Sequence, residues 1–85
     1  MARSLTVKRT VVPKSGRAEY LARLKERQAY YEKAGCRLWV CEETGLPGAF
    51  IEFTEASSPQ ILAKAHAAGP EPPLDAHRIY EEVKL

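Results

Sequence analysis

Asparagine is absent from this chain of 85 residues, and glutamine occurs only twice. With six prolines and abundant Arg and Glu, that composition suits a thermophile, and a GC-rich genome gives it equally well. Only two cysteines are present. Cys36 and Cys41 lie five residues apart along one expected strand, so at about 3.3 Å per residue their Cα atoms stand roughly 16 Å apart. That separation excludes a disulfide between them and suits a reducing compartment. No run approaches the ~18 apolar residues of a membrane span, and Met1-Ala2-Arg3-Ser4 carries no apolar leader region; the expectation is a soluble, cytoplasmic protein. A formal net charge of +2 is too small to argue for nucleic acid or anionic membrane.

Chemical signatures are equally sparse. The chain has no Gly-rich phosphate loop, no nucleophile elbow and no ligand spacing of the HxxxH or CxxC kind. His66, His77 and Asp75 would have to converge to hold a metal, and their spacing does not support it. Neither a metal nor a cofactor is expected.

What the chain does have is a clear order of apolar periods. They run 2, 3.6, 2, 2, 3.6 and 2, which predicts strand–helix–strand–strand–helix–strand within a single domain over 1–85. The first strand spans Leu5 to Val12. A helix follows from Gly16 as N-cap to Ala34, with Gly35 as its stop. Leu21, Leu24, Gln28 and Tyr31 are its buried stripe, and Lys25, Glu26, Arg27 and Lys33 fall on its wet side. Strands Arg37–Glu42 and Ala49–Thr54 flank a turn containing Gly45, Pro47 and Gly48. Ser58 caps a second helix, Pro59 occupies its first turn, and Gly69 ends it. The Pro-rich 69–76 stretch predicts a stiff extended strap, and Arg78 to Leu85 predicts a fourth strand. Right-handed crossovers then give an antiparallel sheet of order 4-1-3-2 with both helices on one face, a ferredoxin-like α+β sandwich.

Side-chain alternation divides that sheet into two faces. Leu5, Val7, Val11, Leu38, Val40, Ile51, Phe53, Ile79, Val83 and Leu85 form the more apolar set and are expected to meet the helices. The opposite set holds Thr6, Lys8, Thr10, Val12, Arg37, Trp39, Cys41, Phe50, Glu52, Tyr80, Glu82 and Lys84. Trp39, Phe50 and Tyr80 among charges form a patch that needs a cover: a second subunit, a single-stranded nucleic acid or a small ligand.

The topology, the long Tyr- and Glu-bearing first helix and the Leu38-Trp39-Val40 … Ala49-Phe50-Ile51-Glu52-Phe53 hairpin resemble the dimeric α+β barrel superfamily. Within it, the chain is most similar to the NIPSNAP-like and antibiotic-biosynthesis-monooxygenase-like small proteins. The resemblance implies a homodimer packed sheet to sheet through Lys8, Thr10, Arg37, Trp39, Phe50, Glu52, Tyr80 and Glu82. It also implies that any pocket lies between sheet and helices, holding a small molecule. A cofactor-free monooxygenase or isomerase acting on an aromatic or quinone-like substrate is the alternative. Its candidate groups are His66 as general base, Arg9 and Tyr31; Arg9, Glu81 and His66 are candidates for ligand binding. In haem-degrading relatives an Asn, a Trp and a His carry the site; here Trp39 and His66 have no Asn to join them. The hairpin also matches the tail of an RNA-recognition motif, but Leu46, Pro47 and Gly48 break that consensus and the first strand offers Lys8 and Thr10 in place of a stacking aromatic. Nucleic acid is not the expected partner.

Overall fold

A computed structural model describes residues 3–69 and 78–85; the strap predicted over 69–76 lies, apart from Gly69, outside the described residues, and so do Asp75 and His77. Strand β1 (Ser4–Val11) leads through a 3₁₀ turn at Lys14–Gly16 into helix α1 (Arg17–Lys33). Strands β2 (Arg37–Glu42) and β3 (Ala49–Ala56), helix α2 (Pro59–Ala68) and a two-residue strand β4 (Tyr80–Glu81) follow. The four strands form one antiparallel sheet in the order β2-β3-β1-β4. Counted from the β4 edge, this is 4-1-3-2. The fold is a small α+β sandwich compatible with the ferredoxin-like arrangement. The last strand is much shorter than the expected Arg78–Leu85: only Tyr80 and Glu81 pair with β1, opposite Leu5 and Ser4.

The helix ends follow local chemistry. Gly35, at φ +82°, lets Cys36 N–H donate to Tyr31 O at 2.8 Å and Gly35 N–H donate to Glu32 O at 3.2 Å, a Schellman stop. Ser58 accepts from Ile61 N–H at 3.2 Å and Pro59 opens α2, as its sequence predicts. At the β2–β3 connection Gly48 has φ +92°. Its N–H donates to Glu42 Oε2 at 2.9 Å, and the same carboxylate takes two bonds from Arg17, at 2.6 and 2.9 Å. This bidentate clamp ties the start of α1 to the hairpin. It also holds the Glu42 carboxyl down at about 2, chiefly through the Arg17 hydrogen bonds.

The expected face assignment fails for the two central strands. Phe50, Glu52, Thr54 and Ala56 of β3 are buried, as are Ser4 and Thr6 of β1. Pairing of Thr6 with Thr54, Lys8 with Glu52 and Thr10 with Phe50 puts them on one face, the face that meets the helices. Leu5, Val7, Val11, Ile51 and Phe53, assigned to the core by their hydropathy, lie on the open face instead. The assignment holds for β2, where Leu38 is buried, and for Ile79, which packs on the core. The physical reason is that Thr6 and Glu52 are hydrogen-bonded by helix side chains, which offsets their desolvation; the Ser4 hydroxyl, also buried, has no hydrogen-bond partner among the described residues. Arg27, expected in water, belongs to this inward set with Leu24 and Tyr31; Gln28 is exposed and donates to Leu38 O at 3.0 Å. The apolar core is correspondingly small: Leu24, Tyr31, Cys36, Leu38, Ala56, Leu62 and Ala65.

Candidate functional site

Between sheet and helices lie two linked polar groups. Glu52, in the middle of β3, is 2% exposed. Its Oε1 accepts from Arg27 Nη2 at 2.9 Å and its Oε2 from the Tyr20 hydroxyl at 2.8 Å. Arg27 comes two helical turns after Tyr20 on α1, which sets both over the same strand. Burial, with the hydrogen bond to Glu52 adding to it, pushes the Tyr20 phenol well above its ordinary range, so it stays a protonated donor.

Deeper in, both ring nitrogens of His66 are engaged: Nδ1 with the Tyr31 hydroxyl at 2.7 Å and Nε2 with Thr6 Oγ1 at 2.7 Å. Burial, with the Arg27 charge adding to it, lowers the His66 pKa. Burial likewise raises the Tyr31 phenol to about 12. The imidazole is therefore held neutral inside a filled core, its partners donating and accepting according to tautomer. It lines no described cavity.

The Glu52 cluster, by contrast, reaches a surface. A cleft of about 340 Å³ between β1 and the first turns of α1 is lined by Lys8, Thr10, Glu19, Tyr20, Arg23 and Arg27, with Val11, Val12 and Pro13 as its apolar wall. A few polar groups converging on an apolar wall are the usual makeup of a small-molecule site. Glu52 fixes two of those groups from behind, and the tilted contact of Tyr20 with Phe50, ring centres 4.8 Å apart, fixes the phenol ring from the side.

The candidate residues named from sequence fall in three places. His66 and Tyr31 meet each other, but in the core and away from the cleft. Arg9 lies exposed on the open face, one position in register from Phe50 beside Ile51, while Glu81 lies at the other end of β1 opposite Ser4 on the helix side. The two cannot form the expected pair. Of the expected interface set, Arg37, Trp39 and Tyr80 are on the open face and Glu82 pairs there with Arg3 at 3.2 Å. Lys8, Thr10, Phe50 and Glu52 face the helices, which removes them from that surface. Phe50, the consensus aromatic of the RNA-recognition comparison, is 5% exposed beneath α1.

Sequence reasoning missed Tyr20, Arg27 and Thr6. One signal was available: a carboxylate in the centre of an otherwise apolar strand needs a buried cationic or hydroxyl partner, and Arg27 recurs three residues after Leu24 and four before Tyr31, on the same stripe. Among the described residues no cluster of His, Cys, Asp or Glu could hold a metal ion. No helix among them is long and apolar enough to cross a membrane. Comparison with protein-family models, curated proteins and solved structures found no match for this chain.

Proposed function

We propose that this protein is a small-molecule-binding homodimer of the dimeric α+β barrel kind, with its ligand in the cleft between β1 and α1. The observation that carries the binding half is the buried Glu52 carboxylate, which presents Arg27 and Tyr20 to the cleft wall in fixed orientation. Such preorganisation is costly unless a site uses it, because burying an ion pair rarely stabilises a fold by itself. A ligand with an acceptor group for Lys8 and Arg27, a donor for the Tyr20 oxygen, whose single O–H is given to Glu52, and an apolar body for Val12 and Pro13 fits these walls.

The homodimer half rests on the open face. Leu5, Val7, Trp39, Ile51 and Phe53 form its apolar centre, with Trp39 stacked on Phe53 at 5.2 Å and the Arg37 guanidinium 4.8 Å from the Trp39 ring. Strands of eight, six, eight and two residues, at about 3.3 Å per residue and about 4.8 Å apart, cover roughly 380 Å² in projection. That supplies the centre of an interface, about half of the ~800 Å² per partner of a stable complex, with side-chain relief and the sheet margins adding to it. A helix layer covers one side of the sheet; a second sheet is the simplest layer for the other.

Mass spectrometry of natively purified protein, followed by ligand-observed NMR with a fragment library, tests the binding half. A bound molecule that protects Tyr20 and Lys8 resonances, and that Thr10→Trp displaces by filling the cleft, is expected. Absence of a co-purified molecule together with no fragment contacting the cleft overturns it. Sedimentation tests the other half: a dimer at micromolar concentration with blue-shifted Trp39 emission is expected, and Phe53→Glu converts it to a monomer.

A further inference from the structure

Lys8 differs from the other cations of the cleft. It is partly buried on the helix side of β1 and stands directly opposite Glu52 in the β1–β3 register. Residues so paired hold their Cβ atoms about 5 Å apart, which makes Glu52 the natural ion partner of Lys8. That carboxylate is already committed, Oε1 to Arg27 and Oε2 to Tyr20. Among the described residues the Lys8 ammonium has no ion pair and no hydrogen bond, whereas Arg23 and Arg27 are both engaged.

Charge at the cleft is unbalanced in the same sense. Lys8, Arg23 and Arg27 stand against Glu19 on its wall and Glu52 behind it, three positive groups to two negative. One positive charge is in excess, and the ammonium without a partner carries it. A cation drawn partly out of water needs a counter-charge to offset its desolvation. The same wall holds Val12 and Pro13, and a volume of about 340 Å³ lies at the small end of ligand sites, which run about 300–1,000 Å³.

We infer that the cleft takes a small monocarboxylic acid with an apolar or aromatic body, its carboxylate paired with the Lys8 ammonium. The inference rests on the binding half of the function proposed above and names the ligand class. A carboxylate brings one negative charge to the one positive charge in excess. A doubly charged phosphate brings a further negative charge toward Glu19 and Glu52, and free phosphate leaves the apolar wall wet. A neutral ligand leaves the ammonium unpaired, and a cationic one adds to the repulsion among Lys8, Arg23 and Arg27.

Benzoate, benzamide and benzylammonium share one ring and differ in charge, so titrating the amide resonances with each reads the preference directly. Probes of so few atoms are expected to bind in the millimolar range. Benzoate is expected to shift the Lys8, Thr10 and Tyr20 amides saturably, with benzamide at least tenfold weaker and benzylammonium without effect. Inorganic phosphate should also bind at least tenfold more weakly than benzoate. Lys8→Met should lower benzoate to the level of benzamide, and Lys8→Arg should keep most of the difference; an unchanged amide spectrum away from the cleft verifies the fold of both variants. Benzamide or phosphate that binds as tightly as benzoate, or benzoate affinity unchanged in Lys8→Met, overturns the inference and leaves the cleft a binding site. Failure of all three ring probes to shift the cleft overturns it as well. The same failure across the whole fragment library overturns the reading on which it rests.

Discussion

Arg27 and Glu52 face each other at 2.9 Å with side chains only 8% and 2% exposed, an ion pair set inside a domain whose apolar core is small. Removing one member of such a pair leaves a charge in a place water does not reach, which typically costs about 3–5 kcal/mol. For a domain of this length each kcal/mol lowers Tm by about 4–8 °C. Arg27→Met is therefore expected to melt at least about 12 °C below wild type. Arg27→Met combined with Glu52→Gln removes both charges and keeps an acceptor for Tyr20, so most of that loss should return. A double-mutant cycle by urea denaturation measures the coupling; single and double variants of equal stability would show that the pair does not act as a unit.

His66 gives the fold an acid-side dependence. Burial, and secondarily the nearby Arg27 charge, place its folded pKa below the ordinary value near 6.5. Between the folded and the unfolded pKa the unfolded chain binds the proton and the folded one does not, so stability rises with pH in that window. The contribution is complete above about pH 6.5 and is lost as pH falls toward the lowered folded value. His66→Gln keeps a donor and an acceptor for Tyr31 and Thr6 but cannot titrate. The stability difference between wild type and His66→Gln should shrink as pH drops from 7.5 to 5. A constant difference across that range would mean that His66 titrates alike in both states.

The periods of the sequence locate α1, β2, β3 and α2 well because each rests on local chemistry: the Ser58 cap with Pro59, the Gly35 stop, the Gly48 turn. Which side of β1 and β3 faces inward was not legible from hydropathy. Their alternation offers two half-apolar sets, and the more apolar one is the set that faces away from the helices. What decides the matter is a long-range match, Glu52 to Arg27 and Tyr20, and Thr6 to His66, with partners 25 to 60 residues apart. No local window contains those pairs. The inversion moves the candidate site from the strand residues Arg9 and Glu81 to helix residues that pattern alone assigned to solvent or packing. It also leaves a more apolar open face than the sequence suggested.

Two glycines of positive φ separate steric from conformational cost. At Gly35, φ +82°, an added Cβ would find only Ile61 Cγ2 at 4.0 Å, so Gly35→Ala meets just the left-handed penalty of about 1–2 kcal/mol. At Gly48, φ +92°, the same atom would stand 2.6 Å from the carbonyl oxygen of Val12, a backbone group that cannot swing aside. The Val12 N–H is itself bonded to Gly48 O at 2.8 Å, and the Gly48 N–H to Glu42. Gly48→Ala must therefore part β1 from the hairpin and disturb the Arg17–Glu42 clamp, in addition to meeting the left-handed penalty. Its loss in chemical denaturation should exceed that of Gly35→Ala by about 1 kcal/mol or more. Amide exchange should rise at Val12 and at position 48 in that variant and remain unchanged at the α1 stop. Equal losses for the two alanines would show that the β1–hairpin contact yields without cost.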